Sequence, residues 1–306
     1  MRCFNFTKII CLSLCFHFVA FASQIRMAYT DLIRDDLQNF LSDHSISFQK
    51  NFNAEVNNLS IYKSGSLPMI EDFLSDRLDL CILAIPEGSD LPILEDDKLV
   101  KIPLAYKSSI VIVNRDNAIS ELTVDQLFKL FGITGSTASM LSWRDFGLAS
   151  FSTSFIKAYS VQEDIGISSD LFRYTALNSM AFNSNVEFGQ MEEVERRIVQ
   201  DKTAIGLFPS IPENPNLKVL FIAQDDESIA YGPSIDNIYY SDYIIRLPFY
   251  IVYNIRDTKR LYPLINTLLS DSVAEILEAN HFFPLPKVIR EKYIIDTQLY
   301  LQENEE

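Results

Sequence analysis

Hydrophobic residues along the chain gather in short runs that polar turns and capped helices separate. Leu78–Ala84, Ser109–Val113 and Arg246–Tyr253 are apolar at most positions, which is typical of strands buried on both faces of a sheet. A shorter run, Ile25–Tyr29, predicts another strand near the start. Because such strands alternate with helical segments, the pattern predicts an α/β protein with a mostly parallel first sheet.

Helices are predicted where capping residues precede apolar residues at helical spacing. Thr123 and Gln126 have the spacing of a capping box, and Leu122 and Leu127 are placed as its hydrophobic staple. The other predicted helices run from Thr30-Asp31 to about Leu41, from Ser64–Pro68 to about Arg77, and over about Ser168–Ala176, Met191–Gln200, Leu261–Leu269 and Asp271–Asn280. Further strands are predicted over Ile46–Phe52 and Thr203–Phe208, and Phe282–Pro286 is expected to close the core.

The first residues have the three parts of a secretory signal peptide. Basic Arg2 and Lys8 precede the apolar stretch Ile9–Val19, and Ala20-Phe21-Ala22 has the small-x-small form of a cleavage site. We therefore expect residues 1–22 to be a signal peptide, cut after Ala22, and the protein to be periplasmic or secreted. A membrane helix is the alternative, but this apolar stretch is too short to span a bilayer.

Cysteine usage excludes a disulfide framework. Three of the four cysteines lie in the predicted signal peptide, and bulky Leu14 before Cys15 disfavours a lipoprotein cleavage site there. Only Cys81 remains, inside an apolar run, where it is expected to be a small buried hydrophobe. Neither a disulfide nor a cysteine-based metal site is expected in the exported chain.

Charge and length limit the partners and the architecture. The chain carries 26 basic and 41 acidic residues, and removal of the signal peptide with its two cations brings the net charge from −15 to near −17. This field disfavours nucleic acid and anionic membranes, and an anionic ligand would need strong local donors. The 284 remaining residues suit two lobes better than one small core, with a single continuous α/β domain as the alternative.

Catalytic and metal-binding patterns are absent from the sequence. The exported chain has two histidines, His44 and His281, and they have no metal-binding spacing. No nucleophile elbow, phosphate-binding loop or dinucleotide fingerprint occurs, and the paired acids are expected to be solvated. We therefore expect no enzyme, no catalytic residue, no metal and no cofactor.

The order of motifs from Ile102 to Gly147 and again near the end resembles the phosphate-binding, PstS-like branch of the periplasmic solute-binding proteins. No single match is specific, whereas the ordered set is. The matching residues are Ile102-Pro103, Val111–Asn114, Asn117, Leu122-Thr123, Gln126-Leu127, Phe131-Gly132, Trp143, Asp145–Gly147, Gly232–Ser234, Ile238, Tyr243, Arg246–Pro248, Tyr250, Asn254, Ser270 and Phe283–Leu285.

The resemblance implies a periplasmic-binding-protein-like α/β fold of type II, with two lobes of mixed β-sheets flanked by helices and joined by two hinge crossings. Lobe 1 is expected over 23–110 and 248–306, and lobe 2 over 111–247. The chain would be a monomer that captures phosphate or another small oxyanion between its lobes and delivers it to an ABC permease. Hinge motion is expected near Tyr106–Asn114 and Arg246–Asn254.

Candidate ligand-binding residues lie at the starts of predicted helices, where free backbone N–H groups and hydroxyls can hold an oxyanion. In the family the corresponding segments supply the phosphate-binding loops. The alternative is that these residues are ordinary helix caps. The candidates are Thr30, Ser64, Gly65, Ser66, Gly166, Ser168 and Ser169.

Two departures from the family pattern put the ligand in doubt. Ala84 stands where the family has an aspartate that accepts the phosphate proton, and Gln162 stands where it has an arginine. Arg173 is a candidate replacement, although a surface or core-edge arginine is the alternative. These departures favour a second hypothesis, a non-transporting sensor or interaction protein with altered or lost phosphate binding. A hydrolase on the same fold is the third.

Overall fold

The structure is a computed structural model that describes residues 24–51, 59–91, 96–133, 141–148, 155–163 and 167–304. The predicted signal peptide and Gly166 lie outside these residues. In the described part of the chain, no helix is both long and apolar enough to cross a membrane.

The described residues form strands and helices that alternate through much of the chain. In order they are β1 (Ile25–Thr30), α1 (Asp36–Asn51), β2 (Leu59–Ser64), α2 (Ser66–Leu74), β3 (Leu80–Ala84), β4 (Leu99–Ser108), β5 (Ile110–Asn114), β6 (Glu121–Thr123), α3 (Val124–Phe131), β7 (Ala158–Val161), α4 (Ile167–Ala176), β8 (Val186–Gly189), α5 (Met191–Gln200), β9 (Ile205–Phe208), β10 (Leu217–Val219), β11 (Phe221–Ala223), α6 (Ile235–Tyr239), β12 (Arg246–Asn254), α7 (Thr258–Leu268), α8 (Asp271–Ala279), β13 (Phe283–Pro284) and α9 (Lys287–Glu303).

The first lobe is built on a six-stranded mixed sheet with the order β13-β4-β12-β3-β1-β2. Strands β2, β1 and β3 are parallel, whereas β12, β4 and β13 pair antiparallel. The predicted mostly parallel sheet is therefore parallel only in its first half. Strand β3 is buried along its whole length, as its apolar sequence predicts.

The second lobe is built on a five-stranded mixed sheet with the order β10-β5-β9-β7-β8, beside a small pair of β11 and β6. The chain enters this lobe between β4 and β5 and leaves it just before β12, so two crossings join the lobes. This is the two-lobed architecture that the sequence predicts.

Helix α3 and the loop after it show why the central motif folds as predicted. The Thr123 hydroxyl accepts a hydrogen bond from the Gln126 N–H, and the Gln126 side chain accepts one from the Thr123 N–H, which confirms the capping box. Trp143 begins a 3₁₀ turn, is fully buried, and donates from its indole N–H to the Thr203 carbonyl at 2.9 Å.

Two predictions on the segment around α1 are wrong. Residues 46–51, predicted as a strand, continue α1; Phe52 is outside the described residues. Helix α1 also begins at Asp36, six residues after Thr30. The physical reason is that no glycine or proline interrupts the segment between Asp36 and Asn51, so the helix continues past Leu41.

The residues before α2 also differ from the sequence-based expectation. Gly65, with no side chain to donate or accept, is the N-cap, and the helix ends at Leu74 instead of about Arg77. Helix α9 was not predicted. Its apolar side chains do not share one face, because Val288, Ile295 and Leu299 are exposed.

Candidate functional site

The two crossings between the lobes run side by side. The Ser108 hydroxyl donates to the Ile245 carbonyl at 2.6 Å, and the Tyr243 hydroxyl donates to the Ser109 carbonyl at 2.9 Å. Tyr243 is fully buried, and burial raises the pKa of its hydroxyl. The four residues tie the crossings into one narrow connection, across which a cleft separates the lobes.

Two of the predicted ligand-binding segments meet at the carboxyl ends of parallel strands. Thr30 and Ser64 are register partners in β1 and β2, and Ser64 leads directly into Gly65 and Ser66 at the start of α2. Thr30 is buried, and its hydroxyl accepts a hydrogen bond from the Leu32 N–H at 3.4 Å within its own turn. The edge of an α/β sheet where parallel strands end is a common position for ligands.

Two cavities lie between the lobes in the described part of the chain, and both are lined by Leu32 of the first lobe and Ile167 of the second. We call them the polar cleft cavity, of about 320 Å³, and the apolar cleft cavity, of about 290 Å³. None of Thr30, Ser64, Gly65, Ser66, Ser168 and Ser169 is among the described residues that line either cavity. The structure therefore brings Thr30 and Ser64 together but does not place them in these cavities.

Lys107, which the sequence analysis did not single out, lines the polar cleft cavity. It is the penultimate residue of β4 and its side chain is 3% exposed. The ammonium donates to the Asn280 carbonyl at 3.2 Å and lies 5.0 Å from the centroid of the Phe282 ring. A buried cation at the end of a strand of the first lobe thus points toward the second lobe.

Glu163 completes this cluster from the second lobe. One of its carboxylate oxygens lies 2.9 Å from the Lys107 ammonium, and the other accepts a hydrogen bond from the Ser168 N–H at 2.8 Å. Ser168 is the second residue of α4, so the carboxylate sits at the positive end of that helix. The Ser168 hydroxyl is buried and has no hydrogen-bond partner among the described residues.

The contact between Lys107 and Glu163 favours the charged form of both side chains. Burial by itself would raise the pKa of Glu163, but the Lys107 charge and the Ser168 hydrogen bond together hold that pKa below its usual value. Burial lowers the pKa of Lys107, and the Glu163 carboxylate opposes that effect. The nearby His281 also has a lowered pKa, chiefly because it is half-buried. The cluster can therefore hold one negative charge between a cation and a helix N-terminus.

The remaining predicted site residues lie outside the contact between Lys107 and Glu163. Gly166 is outside the described residues, and Ser169 lies half-buried in the first turn of α4. Gln162, at the position of the family arginine, is exposed and lines the polar cleft cavity. Arg173 pairs with Asp170, which lines the apolar cleft cavity, at 2.8 Å and donates to the Met180 carbonyl at 3.3 Å; Arg173 itself lines neither cavity.

The apolar cleft cavity is bordered by a second buried cation. Arg246, at the start of β12, is 8% exposed, and its guanidinium contacts Glu87 and Ser241 and donates to the Tyr239 carbonyl at 3.0 Å. It also lies 5.1 Å from the centroid of the Tyr106 ring. With these partners Arg246 supports the crossing between the lobes. The apolar residues that line the cavity include Leu171, Ile244 and Leu247.

A sequence signal for Lys107 existed. It is a charged residue that directly precedes a run of buried strand residues, and such a residue needs a partner wherever it is buried. Glu163 carried no such signal, because it lies in a polar stretch with acids on either side of the α4 start. No group of three or more His, Cys, Asp or Glu side chains in the described ranges could hold a metal ion.

Comparison with known proteins finds similarity at the level of structure alone. No model of a known protein family matches the chain, and no curated protein sequence matches it either.

A possible phosphate binding protein from Planctomyces limnophilus DSM 3776 superimposes with a TM-score of 0.63 at 18% identity, over 93% of this chain and 99% of that one. PstS from Borrelia burgdorferi gives a TM-score of 0.63 at 16% identity, over 86% of this chain and 99% of its own. An ABC-type phosphate transport receptor from Vibrio cholerae gives a TM-score of 0.55 at 14% identity, over 86% of this chain and 100% of its own.

These structures share the fold from end to end of their own chains. The protein has the PstS-like periplasmic-binding-protein fold, an α/β architecture of two lobes, as the order of motifs predicts. Identities of this size establish the fold, whereas the ligand has to be argued from the residues of the cleft.

Proposed function

We propose that this protein is an exported solute-binding protein that captures a small oxyanion, with phosphate as the first candidate, in the cleft between its lobes. The observation that carries the proposal is the cluster of Lys107, the Ser168 N–H and Glu163, where a buried cation and a helix N-terminus already hold a carboxylate. A carboxylate and a phosphate are recognised by the same donors.

The fold supports a role in uptake. Of the named structures of this fold, one is a possible phosphate binding protein and another an ABC-type phosphate transport receptor, and we carry that role over to this chain as part of the proposal. The lobes would comprise 23–110 with 248–306, and 111–247, and they would close by rotation at the Ser108–Ile245 connection. The loaded monomer would then deliver its ligand to an ABC permease.

Thr30, Ser64, Gly65, Ser66, Gly166, Ser168 and Ser169 remain the proposed ligand-binding residues, to which we add Lys107. Thr30 and Ser64 lie on one sheet edge, and Ser168 lies at the α4 start in the other lobe. Because Gln162 lacks the charge of the family arginine, Lys107 would supply buried positive charge at the site, with Arg34 in the same cavity wall.

Calorimetric titration of the purified protein with phosphate, sulfate, molybdate and small carboxylates tests this function. We expect heat and a raised melting temperature with at least one of them, because binding to the folded state stabilises it. The absence of heat and of a thermal shift with every anion would overturn the proposal.

The substitution Lys107→Gln tests the residue assignment. Loss of a charge-assisted hydrogen bond should weaken oxyanion binding by about tenfold to hundredfold. Arg173→Gln is the matched control, since it removes the same charge from a side chain that lines neither cavity. Equal losses in both variants would mean that only the overall charge matters.

A second function is favoured by the same carboxylate. Because Glu163 already satisfies the Lys107 ammonium and the Ser168 N–H, the chain could have kept the fold as a sensor or interaction protein without an anionic ligand. Permease and ATPase genes beside its own gene would support transport, whereas kinase or secretion genes would support this alternative.

A further inference from the structure

An acidic side chain of the protein occupies the position where an oxyanion would bind. Glu163 does not make its two contacts within one lobe: its first oxygen meets Lys107 on β4 and its second meets the Ser168 N–H on α4. The two carboxylate oxygens thus use a cation of the first lobe and a helix N-terminus of the second, a pair of donors that an oxyanion in the cleft would also need.

We propose that Glu163 is an internal competitor for the oxyanion site, so that an incoming anion binds by displacing this carboxylate from Lys107 and Ser168. The inference rests on the proposed function, because it identifies what that ligand must replace. It also makes Glu163 a specificity-determining residue, since an anion has to offer more to these donors than a carboxylate that is already tethered beside them.

Three further observations support displacement. The polar cleft cavity of about 320 Å³ adjoins the cluster, with Lys107 and Glu163 both in its wall, so space exists for an anion and for the displaced side chain. The buried Ser168 hydroxyl lies beside the Glu163 carboxylate, so an anion that takes the place of this carboxylate would meet a second donor of Ser168. Once Glu163 moves away, the largely buried Lys107 ammonium keeps the neutral Asn280 carbonyl as its hydrogen-bond acceptor, which favours a new anionic partner.

If Glu163 competes with an external anion, removal of its charge should raise the affinity for that anion, and this change can be measured. Replacement of Glu163 by glutamine removes the negative charge but keeps nearly the same shape, so Lys107 and the Ser168 N–H lose their anionic partner. An external anion then has no carboxylate to displace, and it binds Lys107 more strongly because the ammonium has lost its charged partner. We expect inorganic phosphate to bind Glu163→Gln at least tenfold more tightly than it binds the native protein.

Glu192→Gln is the matched control. Glu192 lines the same cavity and is exposed, and the substitution changes the net charge by the same amount without touching the Lys107–Glu163 contact. Calorimetry with inorganic phosphate on the native protein and both variants should give a less than threefold change for Glu192→Gln. An equal gain of phosphate affinity in the two variants would mean that only the net charge matters, and this result would overturn the inference.

The outcomes separate this inference from the proposed function. If the native protein binds phosphate and Glu163→Gln binds it no more tightly, the proposal that Glu163 competes with the anion is wrong and the proposed function stands. If only Glu163→Gln binds phosphate, the competitor is supported and the native chain is not a phosphate receptor. If neither binds phosphate, both proposals fail for this anion.

A crystal structure of the native full chain grown in phosphate provides a test that does not depend on the folding of a variant. We expect the anion on the Lys107 ammonium and the Ser168 N–H, with the Glu163 side chain rotated away from both. Phosphate elsewhere in the cleft with the Glu163 contacts intact would overturn the inference, and so would a cleft without phosphate if Glu163→Gln does not bind the anion either.

Discussion

The buried carboxylate of Asp79 and the partly buried carboxylate of Glu163 have different roles because they lie in different parts of the molecule. Asp79 directly precedes β3, at the amino ends of the parallel strands, and accepts hydrogen bonds from the Arg26 guanidinium at 2.8 and 3.1 Å. Arg260 lies 2.9 Å from the same carboxylate. Since this cluster is away from the cleft, we interpret Asp79 as a determinant of stability and Glu163 as a determinant of binding.

The Asp79 cluster predicts a pH-dependent loss of stability in acid. Burial would raise the pKa of Asp79, but hydrogen bonds from Arg26 and Arg260 outweigh it and lower the pKa to about 2. A carboxylate whose pKa is depressed in the folded state stabilises that state above its unfolded pKa, and the contribution disappears as the pH falls through the folded pKa. The relevant window is therefore from about pH 4 down to about pH 2.

Asp79→Asn should lower the free energy of unfolding by about 2 kcal/mol at pH 7, from a shift of nearly two pKa units. The difference between the native protein and this variant should shrink as the pH falls from 4 to 2. Urea unfolding at several pH values measures it. A difference that stays constant down to pH 2 would show that the Asp79 charge contributes nothing.

At the scale of elements, local caps and close packing act together. The α3 capping box is a purely local signal, whereas the contact of α5 with β9 depends on a small residue in the strand. A Cβ atom on Gly206 would lie 2.4 Å from the Ile198 Cδ1 atom, and Ile198 is fully buried. A side chain at position 206 would therefore force the end of the buried Ile198 side chain to shift.

Gly206→Ala should destabilise the protein by about 1–3 kcal/mol, the usual cost of overpacking a core. Ile198→Val removes the clashing Cδ1 atom and should by itself cost about 1 kcal/mol. In the double variant the smaller valine should make room for the alanine. The loss of stability in the double variant should then be smaller than the sum of the losses in the two single variants. Thermal or urea unfolding of the four proteins measures this coupling, and strict additivity would contradict the proposed clash.

At the scale of the whole molecule, negative charge opposes the proposed ligand. The exported chain would carry a net charge near −17, whereas Lys107 provides attraction only within the cleft. Long-range repulsion is screened as the Debye length falls from about 30 Å at 0.01 M salt to about 8 Å at 0.15 M. An anionic ligand should therefore approach the cleft faster when salt is added.

The association rate of phosphate should rise severalfold between 0.01 M and 0.15 M sodium chloride, opposite to the behaviour of a positively charged receptor. Stopped-flow mixing at a series of salt concentrations measures the rate, and Arg173→Gln provides a variant that is one charge more negative. A rate that falls with added salt would mean that the local field of the cleft, and not the net charge, steers the ligand.

The two lobes were predicted from the chain length and chiefly from the resemblance of the ordered motifs to a two-lobed family, whereas buried strands and helix caps could be predicted because they are local features. Strand β3 is apolar along its length, and the Thr123 capping box needs only four consecutive residues. Helix α9 could not be predicted in this way, because its apolar side chains are spread around the helix. The strand predicted at Ile46 was wrong because a helical alternative had no local breaker to stop it.

The chemistry of the cleft was decided by tertiary structure. Lys107 and Glu163 belong to different lobes and are separated by 56 positions, so no spacing rule joins them. Their contact depends on how the crossings orient β4 toward the start of α4. Local sequence determined which segments are strands, caps and crossings, because hydrogen bonds and burial within each segment depend on neighbouring residues. Only the packing of the lobes determined which charge faces which, because electrostatic contacts follow distance in space.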